Sequence, residues 1–310
     1  YTLSKASHER IFGFEILPAS YVVAHMQLGL LLQDLGATGP NVPRPGLYLT
    51  NALTGWGDGA TQKKLSNWPE LAAERDAAEK VKHEQKILVI LGNPPYNAFT
   101  GVSPAQEEGL VEPYKKGLVK EWGIKKFNLD DLYVRFFRLA ERRIAEFTGR
   151  GVVCFISNAS YLSDPSFVVM RQRLLREFDA LWFDNMNGDS RETGKLTPEG
   201  KPDPSVFSTD FNREGIRVGT AIGVMVRRQK RAAAPTVGYQ EYWGVTKRAD
   251  LLASLAAPDF DAQYEIAAPA KGNRFSLRVI DASGNYAEWP KLPDICGGTI
   301  SNGLLEKRGG

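Results

Sequence analysis

The sequence predicts an α/β fold, and three stretches carry that prediction. Lys86 to Tyr96, KILVILGNPPY, places five consecutive apolar residues, Ile87 to Leu91, before a glycine and Asn93-Pro94-Pro95-Tyr96. A short apolar run bounded by turn residues reads as a strand buried on both faces, and the prolines end it at Asn93. Arg10 to Ile16, RIFGFEI, reads as a short strand closing on an acid. Pro18 to Leu35 follows at helical spacing, with Val22, Met26, Gly29 and Leu30 on one face and Gly36 as its stop. Strand followed by helix is the alternation that builds α/β layers.

The remaining elements follow in order. Leu47 to Thr50 is strand-like and leads to Asn51, a residue type common in turns. Gly55 to Ala60 reads as a flexible surface loop, because its glycines follow no strand-to-helix phosphate turn. Leu65 to Gln85, rich in Ala, Glu and Lys, reads as an exposed helix leading into the central strand. Asn97 to Asn128 has little periodicity. Its Lys115, Lys116, Lys120, Lys125 and Lys126 suit either phosphate contact or a solvated loop. Leu129 to Phe147 is a clear helix, with Leu132, Phe136, Leu139, Ala140 and Ile144 facing the sheet. Gly151 to Asn158 is the next buried strand and Pro165 to Phe178 the next helix. Ala180 to Met186 and Val218 to Val226 read as an antiparallel edge pair. The polar insertion between them, Asn187 to Arg217, is too long for a hairpin turn and is expected at the ligand-binding end. The basic run Arg227 to Arg231 reads as a domain exit, solvated or lying along phosphates. This divides the chain into a first domain over 1–231 and a partial second region over 232–310.

Composition sets the outer limits. With 310 residues, 43% hydrophobic and 24% charged, the chain suits one large or two modest globular domains, and a net charge of +3 neither names nor opposes a nucleic-acid partner. Its two cysteines, Cys154 and Cys296, match no metal spacing, and three histidines without a cysteine cluster argue against a metal site. His25 and His83 read as packed and surface residues. No run approaches membrane-spanning length and no signal peptide is visible, so a reducing, cytoplasmic setting is expected.

Chemistry in open α/β sheets gathers beyond the carboxyl ends of the strands. There the prolines lock the backbone, so the Asn93 and Pro94 carbonyls form a preorganised pair of acceptors. Glu15 ends its strand in the same way, open between a ligand role and simple solvation.

These residues carry a resemblance. Asn93-Pro94-Pro95-Tyr96 at a strand end is similar to the catalytic motif of S-adenosylmethionine-dependent amino-methyltransferases, above all the adenine-N6 DNA methyltransferases. In order, GFEILPASYVVAHMQLGLLL, LYLTNAL, ILVILGNPPY, LDDLYVRFFRLAERRI and GVVCFISNASYLSDPSFVVMRQRLLREFDALWFDNMNGDSR resemble the methylase region of Type ISP restriction-modification enzymes, over roughly residues 10 to 230. The resemblance implies a Rossmann-like class I methyltransferase sheet with helices on both faces. It implies S-adenosyl-L-methionine as cofactor, with Glu15 at its ribose, Asn51 at its adenine, and Ile16, Ala52 and Asn93 also among the residues that bind it. Many relatives carry Asp where Asn51 stands. Asn93 and Pro94 would accept the two N–H bonds of the target amine, with Pro95 fixing the turn and Tyr96 stacking on the base. Phe207, or Phe211 close by, would supply a second stacking ring; ordinary loop packing suits either equally. Double-stranded DNA is the implied partner, and the region after Arg231 the implied start of target recognition, with nuclease or helicase parts left open.

The family also carries a strand and a glycine-rich loop ahead of the position of Glu15, and nothing in this sequence supplies them. That strand would lie between those of Glu15 and Asn93, so two unpaired apolar edges are expected, together with a parent chain extending upstream and weak cofactor binding by these 310 residues alone. The function expected is methyl transfer to adenine N6 in a restriction-modification or phage-defence protein. The alternatives are a protein-glutamine methyltransferase, which shares the motif, and a non-catalytic DNA-specificity subunit.

Overall fold

Two separate sheets organise the chain. The computed structural model describes residues 3–37, 43–55, 69–96, 107, 109–127, 129–280, 289–290 and 295. After a short helix α1 (Leu3–Glu9), strand β1 (Phe12–Glu15) pairs in parallel with β2 (Gly46–Leu49), Glu15 opposite Leu49. Helix α2 (Pro18–Asp34) joins them. Its entry is favoured by Pro18, whose missing N–H costs nothing in the first turn, and it ends at Gly36 in the left-handed region. Helix α3 (Pro69–Glu84) packs Ala78 and Val81 against Tyr48, Phe12 and Phe14, giving this small sheet its own core.

The larger sheet has six strands in the order β3-β4-β6-β5-β7-β8. Strand β3 (Val89–Gly92) runs parallel to β4 (Gly151–Asn158). Strand β6 (Thr220–Arg227) inserts antiparallel between β4 and β5 (Ala180–Asn187). Strand β7 (Thr236–Glu241) adds in parallel to β5, and the two-residue β8 (Glu265–Ile266) closes that side. Around the sheet lie short helices α4 (Glu112–Lys115) and α5 (Leu118–Trp122), then α6 (Leu132–Glu141), α7 (Val168–Glu177) and α8 (Lys247–Ala256). Tyr133, Phe137 and Ile144 of α6 and its continuation join Val153, Phe155, Phe183 and Met225 of the sheet in one core.

Four expectations need correction. The strand before Asn93 is not buried on both faces: Val89 is 55% and Leu91 73% exposed, because β3 pairs with β4 alone and its other edge has no partner among the described residues. The antiparallel pair β5–β6 is not an edge pair, since β4 flanks one strand and β7 the other. Of the residues expected to face the sheet, Ala140 and Ile144 are buried, but Leu132, Phe136 and Leu139 are only half-buried, their place in the core taken by Tyr133, Val134 and Phe137; Phe136 and Leu139 line the opening beside β3. The stretch after Asn97 is not simply loop, because Tyr114 and Leu118 are fully buried in the core; residues 97–106, 108 and 128 lie outside the described residues. The sheet also runs on past Arg231 through β7, and Ala267 and Leu277 belong to the same core. Among the described residues no helix is long and apolar enough to cross a membrane.

Candidate active site

The carboxyl ends of β1 and β2 lie side by side, and of the residues expected at the cofactor only Ala52, after β2, and Asn93, after β3, line one cavity, while Glu15, Ile16 and Asn51 stand outside its lining. Thr50, just after β2, donates its N–H to the Glu15 carbonyl at 2.8 Å, which sets Glu15 beside Thr50 and Asn51. The Glu15 carboxylate accepts the N–H groups of Ile16 and Leu17 through Oε1, at 2.8 and 2.9 Å, and so is held against the chain that enters α2. Asn51 turns on itself: its Oδ1 accepts the Leu53 N–H at 2.9 Å. A cavity of about 380 Å³ opens between the two sheets. Phe12 to Phe14 and Ala52 line one side, and Ile90 to Pro95 the other.

Asn93 is exposed on this cavity while Pro94 behind it is buried, so the side chain that ends β3 faces outward and not into the core. Gly92 allows the approach: a Cβ there would stand 2.9 Å from the ring of Phe155 on the neighbouring strand. Tyr96 closes the motif with its hydroxyl enclosed and making no hydrogen bond among the described residues, and burial pushes that hydroxyl well above the ordinary tyrosine range. Its ring meets Phe207 edge to face, centroids 6.1 Å apart and planes at 62°. That is a favourable aromatic geometry.

Phe207 reaches Tyr96 because the insertion between β5 and β6 is pinned at both ends. Asn187, in the left-handed region, and Gly188 begin the turn out of β5. Asp203, fully buried, accepts the N–H of Gly188 and of Gly244, each at 2.7 Å, and pairs with Lys247 at 2.6 Å. Asp189 accepts the Gly219 N–H at 2.8 Å at the other end. A multidentate carboxylate of this kind replaces the missing ladder hydrogen bonds of an irregular segment.

Lys82 of α3 is a site residue that sequence reasoning missed. Only 2% exposed, it donates to Thr50 Oγ1 at 3.0 Å, to the Asn51 carbonyl at 2.7 Å and to the Thr54 carbonyl at 2.9 Å, and so fixes the loop after β2. Burial lowers its ammonium to about 8. An exposed-looking Ala/Glu/Lys helix gives no signal that one of its lysines points inward. The basic residues expected to meet phosphates divide. Lys115 pairs with Glu112 and Asp130, Arg227 with Glu177 and Arg231 with Asp179, whereas Lys116, Lys120, Lys125 and Lys126 are exposed.

The sequence matches the family model of the Eco57I restriction-modification methylase over residues 9–189. Among solved structures, the fold is similar to the ATP-dependent Type ISP restriction-modification enzyme LlaBIII bound to DNA, with a TM-score of 0.70 at 18% identity, covering 90% of this chain and 18% of that one. A nuclease-deletion mutant of the Type ISP enzyme LlaGI, in complex with a DNA substrate mimic, gives 0.67 at 22% identity over 93% of this chain and 26% of that one. The DrdV–DNA complex gives 0.67 at 20% identity over 91% and 26%. At these identities the likeness is one of fold, and the chain spans about a quarter or less of each. No curated protein matches the sequence.

Proposed function

The chain belongs to the Eco57I restriction-modification methylase family, and from that premise we propose that it carries the catalytic strand tips of an S-adenosylmethionine-dependent DNA methyltransferase acting on the N6 amine of adenine. The observation that carries this reading is the exposed Asn93 just past β3, on a cavity shared with Ala52, with Tyr96 of the same motif in edge contact with Phe207. A Rossmann-like arrangement fits this disposition, since ligands of such sheets sit past the strand tips.

The residues present suit one end of the cofactor. A carboxylate at the tip of β1 is chemically matched to ribose hydroxyls, and the Asn51–Ala52 turn held by Lys82 offers polar edges and a small side chain to an adenine ring. No glycine-rich loop following a strand stands among the described residues to enclose the methionine end. When bound, the cofactor would supply an electrophilic methyl group on a sulfonium.

The chain's own residues would do the rest. An adenine amine is a poor nucleophile because its lone pair is delocalised into the ring. The Asn93 side-chain carbonyl and the Pro94 backbone carbonyl would accept its two N–H bonds and draw the nitrogen out of conjugation. Holding the amine in line is worth several powers of ten in rate without any titrating base. Tyr96 would stack on the base, and Phe207 would have to swing from its edge contact to admit it. Duplex DNA is the substrate, because a base reaches such a pocket only after leaving the stack.

The test is methyl transfer from labelled S-adenosylmethionine to duplex DNA by the intact protein that contains this chain, read as N6-methyladenine by nucleoside mass spectrometry. Asn93→Ala should lower the rate by on the order of 10²-fold, the scale for losing one preorganised polar contact to a reacting group. Label on a protein glutamine amide and none on DNA would replace this reading with a protein-glutamine methyltransferase. DNA binding without transfer would leave a specificity subunit.

A further inference from the structure

Phe211 is fully exposed, at 103% of its reference area, whereas the other exposed large apolar side chains of the described residues reach at most 75%. Single exposed apolar residues are ordinary, but two features set this one apart. The first is rigidity. Ser205, itself buried, accepts with its hydroxyl from the N–H of Phe207 at 3.2 Å and of Ile216 at 3.3 Å, clamping the two sides of the loop together. At the tip the Thr209 N–H donates to the Asn212 carbonyl at 2.9 Å, the Asn212 N–H returns to Thr209 Oγ1 at 3.0 Å, and the Gly215 N–H donates to Asn212 Oδ1 at 3.1 Å. A turn so closed presents its ring outward as a fixed feature.

The second feature is position. Four residues earlier on the same loop, Phe207 lies against Tyr96 of the candidate catalytic motif. Phe207 of the loop therefore stands at the place a target base would enter, and Phe211, four residues on, is exposed at the loop's tip. The tip does not offer a phosphate patch: Asp210 and Glu214 balance Arg213 and Arg217, and Arg217 pairs with Glu214 at 2.8 Å. What it offers is a neutral, rigidly mounted aromatic ring. Apolar side chains presented in this way to DNA enter between base steps, and the cost of extruding a base falls when something takes its place in the stack.

We propose that Phe211 is a wedge that inserts into the duplex base stack beside the extruded target base, an inference that rests on the DNA-methyltransferase reading. The partner is duplex DNA at a gap in its stacking. The wedge should therefore prefer a duplex that already contains a gap, independently of cofactor and of recognition sequence.

The experiment is fluorescence anisotropy of the intact protein that contains this chain with a fluorescein-labelled duplex, intact or carrying one tetrahydrofuran abasic site. The protein should bind the gapped duplex roughly tenfold more tightly, the scale of one base–aromatic stack. Phe211→Ala should bring the two affinities together with binding to intact duplex and thermal midpoint unchanged. Phe211→Trp should keep the preference, as should Val245→Ala, which trims another exposed apolar side chain. A preference that survives Phe211→Ala, or intact-duplex binding with no preference in the unaltered protein, overturns the wedge and leaves the methyltransferase reading standing. No binding to either duplex at low salt overturns the DNA reading, and the wedge with it.

Discussion

Asp184 sits within β5 with its carboxyl enclosed, and burial pushes that carboxyl up to about 6, against the pull of the Tyr264 hydroxyl that donates to it at 2.9 Å. An aspartate in the unfolded chain ionises near pH ~3.9. Between that value and about 6 the folded state holds the extra proton, so stability falls as pH rises through this window and stays low above it. The two-unit shift corresponds to about 3 kcal/mol at most. Denaturant unfolding of Asp184→Asn should therefore lack this decline and leave the variant the more stable of the two at pH 7; parallel pH profiles would show that Asp184 ionises in the fold without penalty. Lys82 has the opposite sign. Its ammonium, lowered to about 8, binds fewer protons in the folded state, so it adds stability as pH climbs from about 8 towards the ordinary lysine range. Lys82→Met removes three hydrogen bonds at once and leaves the Thr50, Asn51 and Thr54 oxygens to find new partners. A loss of about 2–4 kcal/mol is expected, read as a lowered midpoint in urea.

At the scale of elements, the strand that bears Asn93 is thinly supported on one side and firmly on the other. Leu91 points away from the core while Phe155, opposite Gly92 on β4, is buried. Leu91→Thr should change stability by less than about 0.5 kcal/mol, whereas Phe155→Ala should cost about 3–5 kcal/mol and let β3 shift, carrying Asn93 with it. Equal costs in thermal unfolding would mean that Leu91 is covered in solution. Such contrasts mark what a sequence can and cannot show. Gly151 to Asn158 was legible to the residue, since its apolar run and bounding turns are local. So were the helix after Pro18 and the turn at Asn93. Strand pairing was not, because the partners of β4, β5 and β7 lie dozens of residues apart and no local pattern records which edge meets which. The same gap hid the cover over β3. At the site, the exposed Asn93 after an apolar strand was legible from residue type and place, while the Tyr96–Phe207 contact, Lys82 and Asp203 depend on long-range contacts that composition does not encode.

On the scale of the whole molecule, the two sheets face each other across the cavity with strands β1 and β3, each of which has a single partner among the described residues. Helix α2 is likewise open, with Val22, Met26 and Leu30 all more than half exposed. The small sheet has its own modest core of Tyr48, Ala78 and Val81. Its ties to the larger body include Arg143, which donates to the Lys82 and Gln85 carbonyls at the end of α3. Few buried apolar contacts and an open edge place a unit at the low-stability end of a protein's local unfolding spectrum. Native-state hydrogen exchange by mass spectrometry should therefore show Phe12–Glu15 and Gly46–Leu49 opening at a lower free energy than Gly151–Asn158 and Thr220–Arg227. Arg143→Ala should widen the difference by removing the tie without touching either core. Exchange of all four strands at one common free energy would mean that the sheets unfold as a unit and that the cavity between them is bridged more strongly than its lining residues suggest. Because Glu15 and Asn51 stand on the weaker sheet and Asn93 on the stronger, anything that pairs both open edges would stabilise the small sheet and bring the two halves of the candidate site into fixed register in the same step.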